Sequence, residues 1–216
     1  MTLLSAETVR FLCRLQANND RQWFEANRTD YEAHLERPGQ AFASALAYEL
    51  EEATGEPHAY RMFKIHRDVR FSKDKTPYNA HLHFSFSPDG GCKNGGPAWM
   101  FGLDSDRLTL GAGIFAFEKA KLDAWRAHVD GDGGQEAGWL LDRLEADGVR
   151  ISEAELKRVP APYSPAHPRA ALLRRKGLTA WIDYTETGAA LGADGPANCA
   201  QQLLRFHDLF RLLCTV

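Results

Sequence analysis

From Arg61 to Tyr78 the chain reads Arg-Met-Phe-Lys-Ile-His-Arg-Asp-Val-Arg-Phe-Ser-Lys-Asp-Lys-Thr-Pro-Tyr, with six lysines or arginines against two aspartates. Cationic donors this close in sequence can converge on a phosphate or carboxylate, and a carboxylate among them can orient them or take a proton. On that chemistry Arg67, Arg70, Lys73, Asp74 and Lys75 are the candidate anion-binding residues, and Asp68, His66 and Tyr78 the candidate catalytic, proton-transferring ones. Arg67 lies out of phase with its neighbours and calls for a partner of its own, because an unpaired charge on an apolar face is costly. A second reading uses the same residues. Asp74 can lace the segment back on itself and the remaining charges can pair, giving an ion-pair network that positions a loop and binds nothing.

Metal chemistry is a lesser alternative. His81 and His83 are two apart, which on a strand puts both imidazoles on one face, and His66 can add a third. Nothing in the sequence fixes a further ligand, so no cofactor is expected, with a divalent metal at His66, His81 and His83 as the exception to test. Ser72 and Lys75 match the Ser-x-x-Lys pattern of acylating serines, but Pro77 makes the stretch a loop where that pattern needs a helix. The glycine loop Gly90–Gly96 lacks the spacing of a phosphate cradle.

The elements that must carry these residues can be read from periodicity. Phe63, Ile65, Val69 and Phe71 alternate with Lys64, His66, Asp68 and Arg70, which predicts a half-buried strand ended by Pro77. Leu82, Phe84 and Phe86 predict a second strand, and 99–103 with 108–114 a hairpin around Asp104-Ser-Asp106. Before them, Ser5 and Asp20 are helix caps, and Pro38 with Gly39 is expected to interrupt the helical run before a helix over 41–53. After them come helices over 117–129 and 138–146, a short strand at 149–151, a capping-box helix start at Ser152 and Glu155, a short helix from 170, a strand over 178–184 and a final helix over 196–213. Helices, then a mainly antiparallel meander, then helices again predict a single α+β domain spanning 1–216.

Composition narrows the function classes. Of 216 residues, 44% are apolar and 25% charged, as in a folded domain with a sizeable core. The net charge of −3 disfavours nucleic-acid binding, which needs a broad basic surface, and the local excess of cations suits a small anion better than a polymer. No apolar run is long enough to cross a bilayer and no secretion signal is evident, so a cytoplasmic protein without a membrane partner is expected. Cys13, Cys92, Cys199 and Cys214 are scattered and are expected to be free thiols.

Three stretches resemble a known family: Asn18-Asn-Asp-Arg-Gln-Trp-Phe-Glu-Ala-Asn-Arg-Thr-Asp-Tyr31, Arg67-Asp-Val-Arg-Phe-Ser-Lys-Asp-Lys-Thr-Pro-Tyr78, and Gly111-Ala-Gly-Ile with Leu122 and Arg126. Together they are similar to the family catalogued as domain of unknown function 2461. The resemblance implies a single-domain α+β protein and supplies no catalytic residues. The sequence thus points to a small-anion-binding protein, with enzymatic activity left open, whose site lies on residues 64–78. The alternative is a non-enzymatic interaction module built from the same charges.

Overall fold

The computed structural model describes residues 3–92 and 95–216. Met1 and Thr2 of the N-terminal segment, and Lys93 and Asn94 of the glycine loop, lie outside the described residues. The fold is α+β. A six-stranded antiparallel sheet runs in the order β1 (His58–Met62), β2 (Leu82–Pro88), β3 (Ala98–Leu103), β4 (Leu108–Ile114), β6 (Leu178–Tyr184), β5 (Arg150–Ile151), with helices before and after it in the chain. The described residues cluster in two compact units, one from 3–89, 100–110 and 183–202 and the other from 90–92, 95–99, 111–182 and 203–216.

In the first unit α1 (Ala6–Ala17) starts at Ser5, whose N–H donates to Thr8 Oγ1 at 3.1 Å. α2 (Arg21–Ala26) starts at Asp20, whose Oδ1 accepts the Trp23 N–H at 2.9 Å. α3 (Arg28–Tyr31) then passes through a π turn (Glu32–Glu36) directly into α4 (Arg37–Thr54). The interruption expected at Pro38 and Gly39 is therefore absent. Pro38 stands in the first turn of α4, where a missing N–H is tolerated. The wider π turn before it carries the backbone past the ring. Gly39 is buried, and a Cβ there would already touch Leu82 and Met62 at 3.4 Å, so α4 lies directly on β1 and β2. Phe42 extends that contact, its ring centroid 4.9 Å from Phe101 and 6.3 Å from Phe84.

The strand expected over 63–71 does not form. β1 ends at Met62, paired with Phe84 of β2, and one further backbone bond runs from Phe63 N–H to His83 O at 3.0 Å. Of Phe63, Ile65, Val69 and Phe71 only Ile65 is buried, and Phe71 is 96% exposed. Alternation reports extended backbone; a strand also needs a neighbour to take its hydrogen bonds. This segment bonds to its own returning limb instead.

In the second unit α5 (Lys119–Asp130), α6 (Gly133–Ala146), α7 (Ala170–Leu173) and α9 (His207–Thr215) supply the helices. Trp125 Nε1 donates to Leu172 O at 3.1 Å, and Trp99 stacks on Phe210 with centroids 4.1 Å apart. Lys121 is 1% exposed and donates to Leu213 O at 2.8 Å, while burial pushes its pKa down. Arg169 caps the end of α5 by donating to Val129, Asp130 and Gly131 carbonyls at 2.6, 2.9 and 3.0 Å.

Three further expectations are corrected. Ser152 and Glu155 start no helix: Ser152 Oγ accepts the Thr179 N–H at 3.1 Å and Glu155 accepts the Lys176 N–H at 2.7 Å, so both side chains tie loop to β6 and its approach. The last helix is split, with α8 (Gly195–Leu203) and α9 separated by a 3-10 turn at Leu204–Phe206. Cys92 and Cys214 are joined in a disulfide across 122 residues, leaving Cys13 and Cys199 free. Among the described residues no helix is long and apolar enough to cross a membrane.

On β4, one glycine faces β6 with no room for a side chain. Gly113 has φ +139, and a Cβ there would fall 2.1 Å from Leu178 O. Gly113→Ala is expected to lower the unfolding free energy by about 2–4 kcal/mol, since both φ and the fixed carbonyl oppose it. Urea denaturation followed by circular dichroism measures this, and a loss within error of wild type would show that β6 can retreat.

Candidate functional site

The charged segment is organised by its two limbs. Arg67 N–H donates to Pro77 O at 2.9 Å and Asn79 N–H to Ile65 O at 2.7 Å, with a bridge between His66 and Tyr78. Residues 68–76 are thereby closed into a loop. The returning limb is held from outside by one side chain. Asn19 Nδ2 donates to Tyr78 O at 2.9 Å, and its Oδ1 accepts the Tyr78 N–H at 3.0 Å. The Tyr78 ring is 4% exposed, stacked on Phe24 with centroids 4.1 Å apart, and His66 meets it edge-on at 5.1 Å. Desolvation, and after it the nearby Glu25 carboxylate, raise the Tyr78 phenol above its ordinary pKa.

Within the loop the charges serve one another. The Arg67 guanidinium contacts the Asp74 carboxylate and the Thr76 hydroxyl, and donates to Thr76 O at 3.1 Å. Asp74 also accepts the Thr76 N–H and hydroxyl, both at 2.9 Å. The Thr76 N–H first, then Arg67 and the Thr76 hydroxyl, hold the Asp74 carboxyl at about 2. Arg70 grips Asp68 two-pronged, Nε to Oδ1 at 2.9 Å and Nη2 to Oδ2 at 2.6 Å. That contact lowers the Asp68 pKa and raises that of Arg70. Lys75 Nζ donates to Val69 O at 2.9 Å. Lys73 is exposed on the same loop and makes none of these bonds. The arginines expected to clamp an anion are thus engaged by partners, and Tyr78 and His66 lie together while Asp68 is engaged by Arg70.

A concavity of about 290 Å³ opens beside the outgoing limb, at Lys64, Ile65 and His66. Arg28, Tyr31, Glu32 and Glu36 line it from α3 and the π turn, and Phe24, Gln40, Met62 and Phe63 complete it. Its charges differ in how they are compensated. Glu32 has Arg37 at 3.4 Å and Arg28 at 3.8 Å. Glu36 accepts only the Tyr31 hydroxyl, at 3.2 Å, and among the described residues neither Glu36 nor Lys64 has an ion-pair partner. Desolvation, with Glu36 next to it, raises the Tyr31 phenol well above its ordinary pKa, so the hydroxyl stays a donor.

This concavity was only partly visible in the sequence. Lys64 and His66 belong to the charged segment, but Arg28, Glu32, Glu36 and Gln40 carried no signal. Tyr31 and Glu36 are five apart, a spacing that does not face across an α-helix. The π turn brings them together, and its i to i+5 period is what a sequence reading assuming 3.6 residues per turn misses.

The three candidate metal ligands do not come together. His81 and His83 stack with centroids 4.0 Å apart above Gly102, where a Cβ would lie 3.0 Å from His83 Cδ2. His66 packs instead on Phe24 and Tyr78. Desolvation lowers the His81 pKa; His83 keeps some solvent contact, yet the protein round its ring and then His81 bring it to about 4. Among the described residues no group of three or more His, Cys, Asp or Glu is arranged to hold a metal.

Comparison with known proteins adds a family without an activity. Residues 7–211 match the family described as "Conserved hypothetical protein (DUF2461)". No functionally curated protein matches the chain.

Two measurements follow from this geometry. Asn19→Ala removes two hydrogen bonds to one backbone unit and is expected to cost about 2 kcal/mol of unfolding free energy, at about 1 per bond. A urea midpoint unchanged from wild type would show the clip to be dispensable. The Asp74 carboxyl, followed by ¹³C NMR, is expected to titrate near 2, and near the ordinary ~3.9 in the unfolded chain. Because the folded value is the lower one, the stabilisation it carries is present above the unfolded pKa and is lost as pH falls through about 2. In Arg67→Met the midpoint should rise; an unmoved midpoint would mean that Thr76 alone sets it.

Proposed function

We propose that this chain, which belongs to the DUF2461 family, binds a small carboxylate or phosphate ligand in the concavity beside residues 64–66. In this reading Lys64 supplies the charge and His66 a hydrogen bond. The observation that carries it is the division of cations: Arg67, Arg70 and Lys75 are engaged within the loop, while Lys64 lines a concavity and has no acidic partner among the described residues. A volume of about 290 Å³ is near the lower bound, roughly 300 Å³, of small-molecule sites. For an enzymatic form of the proposal, His66 and Glu36 are the proton-transfer candidates among the side chains that line the concavity.

One observation favours a second reading, an interaction module. Phe71 is 96% exposed, with the Arg70 guanidinium 5.9 Å from its ring, at the tip of a loop whose charges hold it in shape. Phe71→Ser would abolish binding of a protein partner and leave the concavity untouched.

Thermal melting with inorganic phosphate and with acetate tests the first reading. A ligand that binds only the folded chain adds about 2.7 kcal/mol at a hundredfold excess over its dissociation constant. The melting point is expected to rise in wild type and in Arg70→Ala, and to stay flat in Lys64→Met. Loss of the rise in Arg70→Ala or Lys73→Ala, with Lys64→Met responding, would put the ligand on the loop and overturn this placement.

A further inference from the structure

We infer that the ligand of this concavity is amphoteric: a small molecule carrying a cationic amine as well as its acidic group, with the amine received by Glu36 and Tyr31. The inference rests on the reading proposed above and goes further by defining the second end of the ligand. It starts from Glu36, which is half-buried on the π turn and faces the same concavity as Lys64. A carboxylate taken partly out of water requires compensation. Glu32, one turn away, receives it from Arg28 and Arg37. Glu36 receives one neutral hydrogen bond, from the Tyr31 hydroxyl, and no cation among the described residues.

The shortfall has a definite chemical form. A carboxylate has about four acceptor positions, so one donor from Tyr31 leaves room for more. The Tyr31 hydroxyl donates to Glu36 Oε1 at 3.2 Å, which occupies one of those positions. Across the lining, Lys64 lacks an anion as Glu36 lacks a cation. They do not approach each other within ion-pair distance. Lys64 is exposed and Glu36 half-buried, so a ligand carrying only an acidic group would answer Lys64 and leave the Glu36 carboxylate without a counter-charge. Phe24, Met62 and Phe63 contribute apolar surface to the same lining, which suits an alkyl spacer between amine and acid. Amino acids and ω-amino acids have this composition.

Isothermal titration calorimetry on the full chain decides it. The probes are glycine, β-alanine, γ-aminobutyrate and ε-aminocaproate, each set against the acid without its amine (acetate, propionate, butyrate, caproate) and the amine without its acid. At least one amino acid is expected to bind about tenfold or more tighter than both of its halves, as one charge-assisted hydrogen bond provides. Glu36→Gln, which keeps an acceptor for Tyr31, should reduce that amino acid to the affinity of its plain acid while leaving the plain acid unchanged. Lys64→Met should leave the amine half bound and weaken both the acid and the amino acid. If plain acids bind as well as amino acids in wild type, and Glu36→Gln changes neither, the amphoteric inference is overturned and the anion site survives. If plain acids and amino acids both fail to bind, the anion reading falls and this inference with it. A crystal or NMR contact between Lys64 and Glu36 in the ligand-free chain would also overturn it, by showing the two charges compensating each other.

Discussion

The clip between Asn19 and Tyr78 is the contact on which the candidate site depends. One amide side chain satisfies both the N–H and the carbonyl of a residue 59 positions away, as a neighbouring strand would. It does so from the turn before α2, so the returning limb of the charged segment is fixed against the N-terminal helices. Burial of the Tyr78 ring on Phe24 adds an apolar contact to the same anchor. Buried backbone polar groups need partners, and here the segment leaves the sheet without losing them.

With the limb anchored, the loop's charges have a fixed frame in which to pair. Exposed ion pairs contribute little individually. Their effect in this loop is one of shape: Asp74 links Arg67 to Thr76, and Asp68 closes on Arg70, so the turn at 68–76 is held by several short-range bonds. The density of charge that suggested an anion clamp is therefore largely accounted for by lacing. Lys73 and Lys64 stand outside that lacing: Lys73 is exposed on the loop, whereas Lys64 precedes the bridge between the limbs and lines the concavity.

The π turn is the counterpart of the clip on the other side of that concavity. It lets α3 and α4 run on as one helical stretch past Pro38, and it places Tyr31 beside Glu36. The same local departure from 3.6 residues per turn thus resolves a backbone problem and sets up a polar lining.

Much of the fold was legible in the sequence. The caps at Ser5 and Asp20, the alternation of Leu82, Phe84 and Phe86, and the hairpin around Asp104 to Asp106 depend on interactions between residues near one another in the chain, and the structure has them. The site was legible only as a place on the chain, residues 64–78. Alternation at 63–71 predicted a strand, because extended backbone has the same period whether its hydrogen bonds go to a sheet or to its own return limb. Which side chains complete a concavity, whether Cys92 meets Cys214, and which cation is left without a partner depend on contacts between residues tens of positions apart. By itself the sequence determined local conformation and the location of the charge. Tertiary structure alone decided how that charge is compensated, since compensation is a matter of distance in space, and spacing along the chain does not encode it.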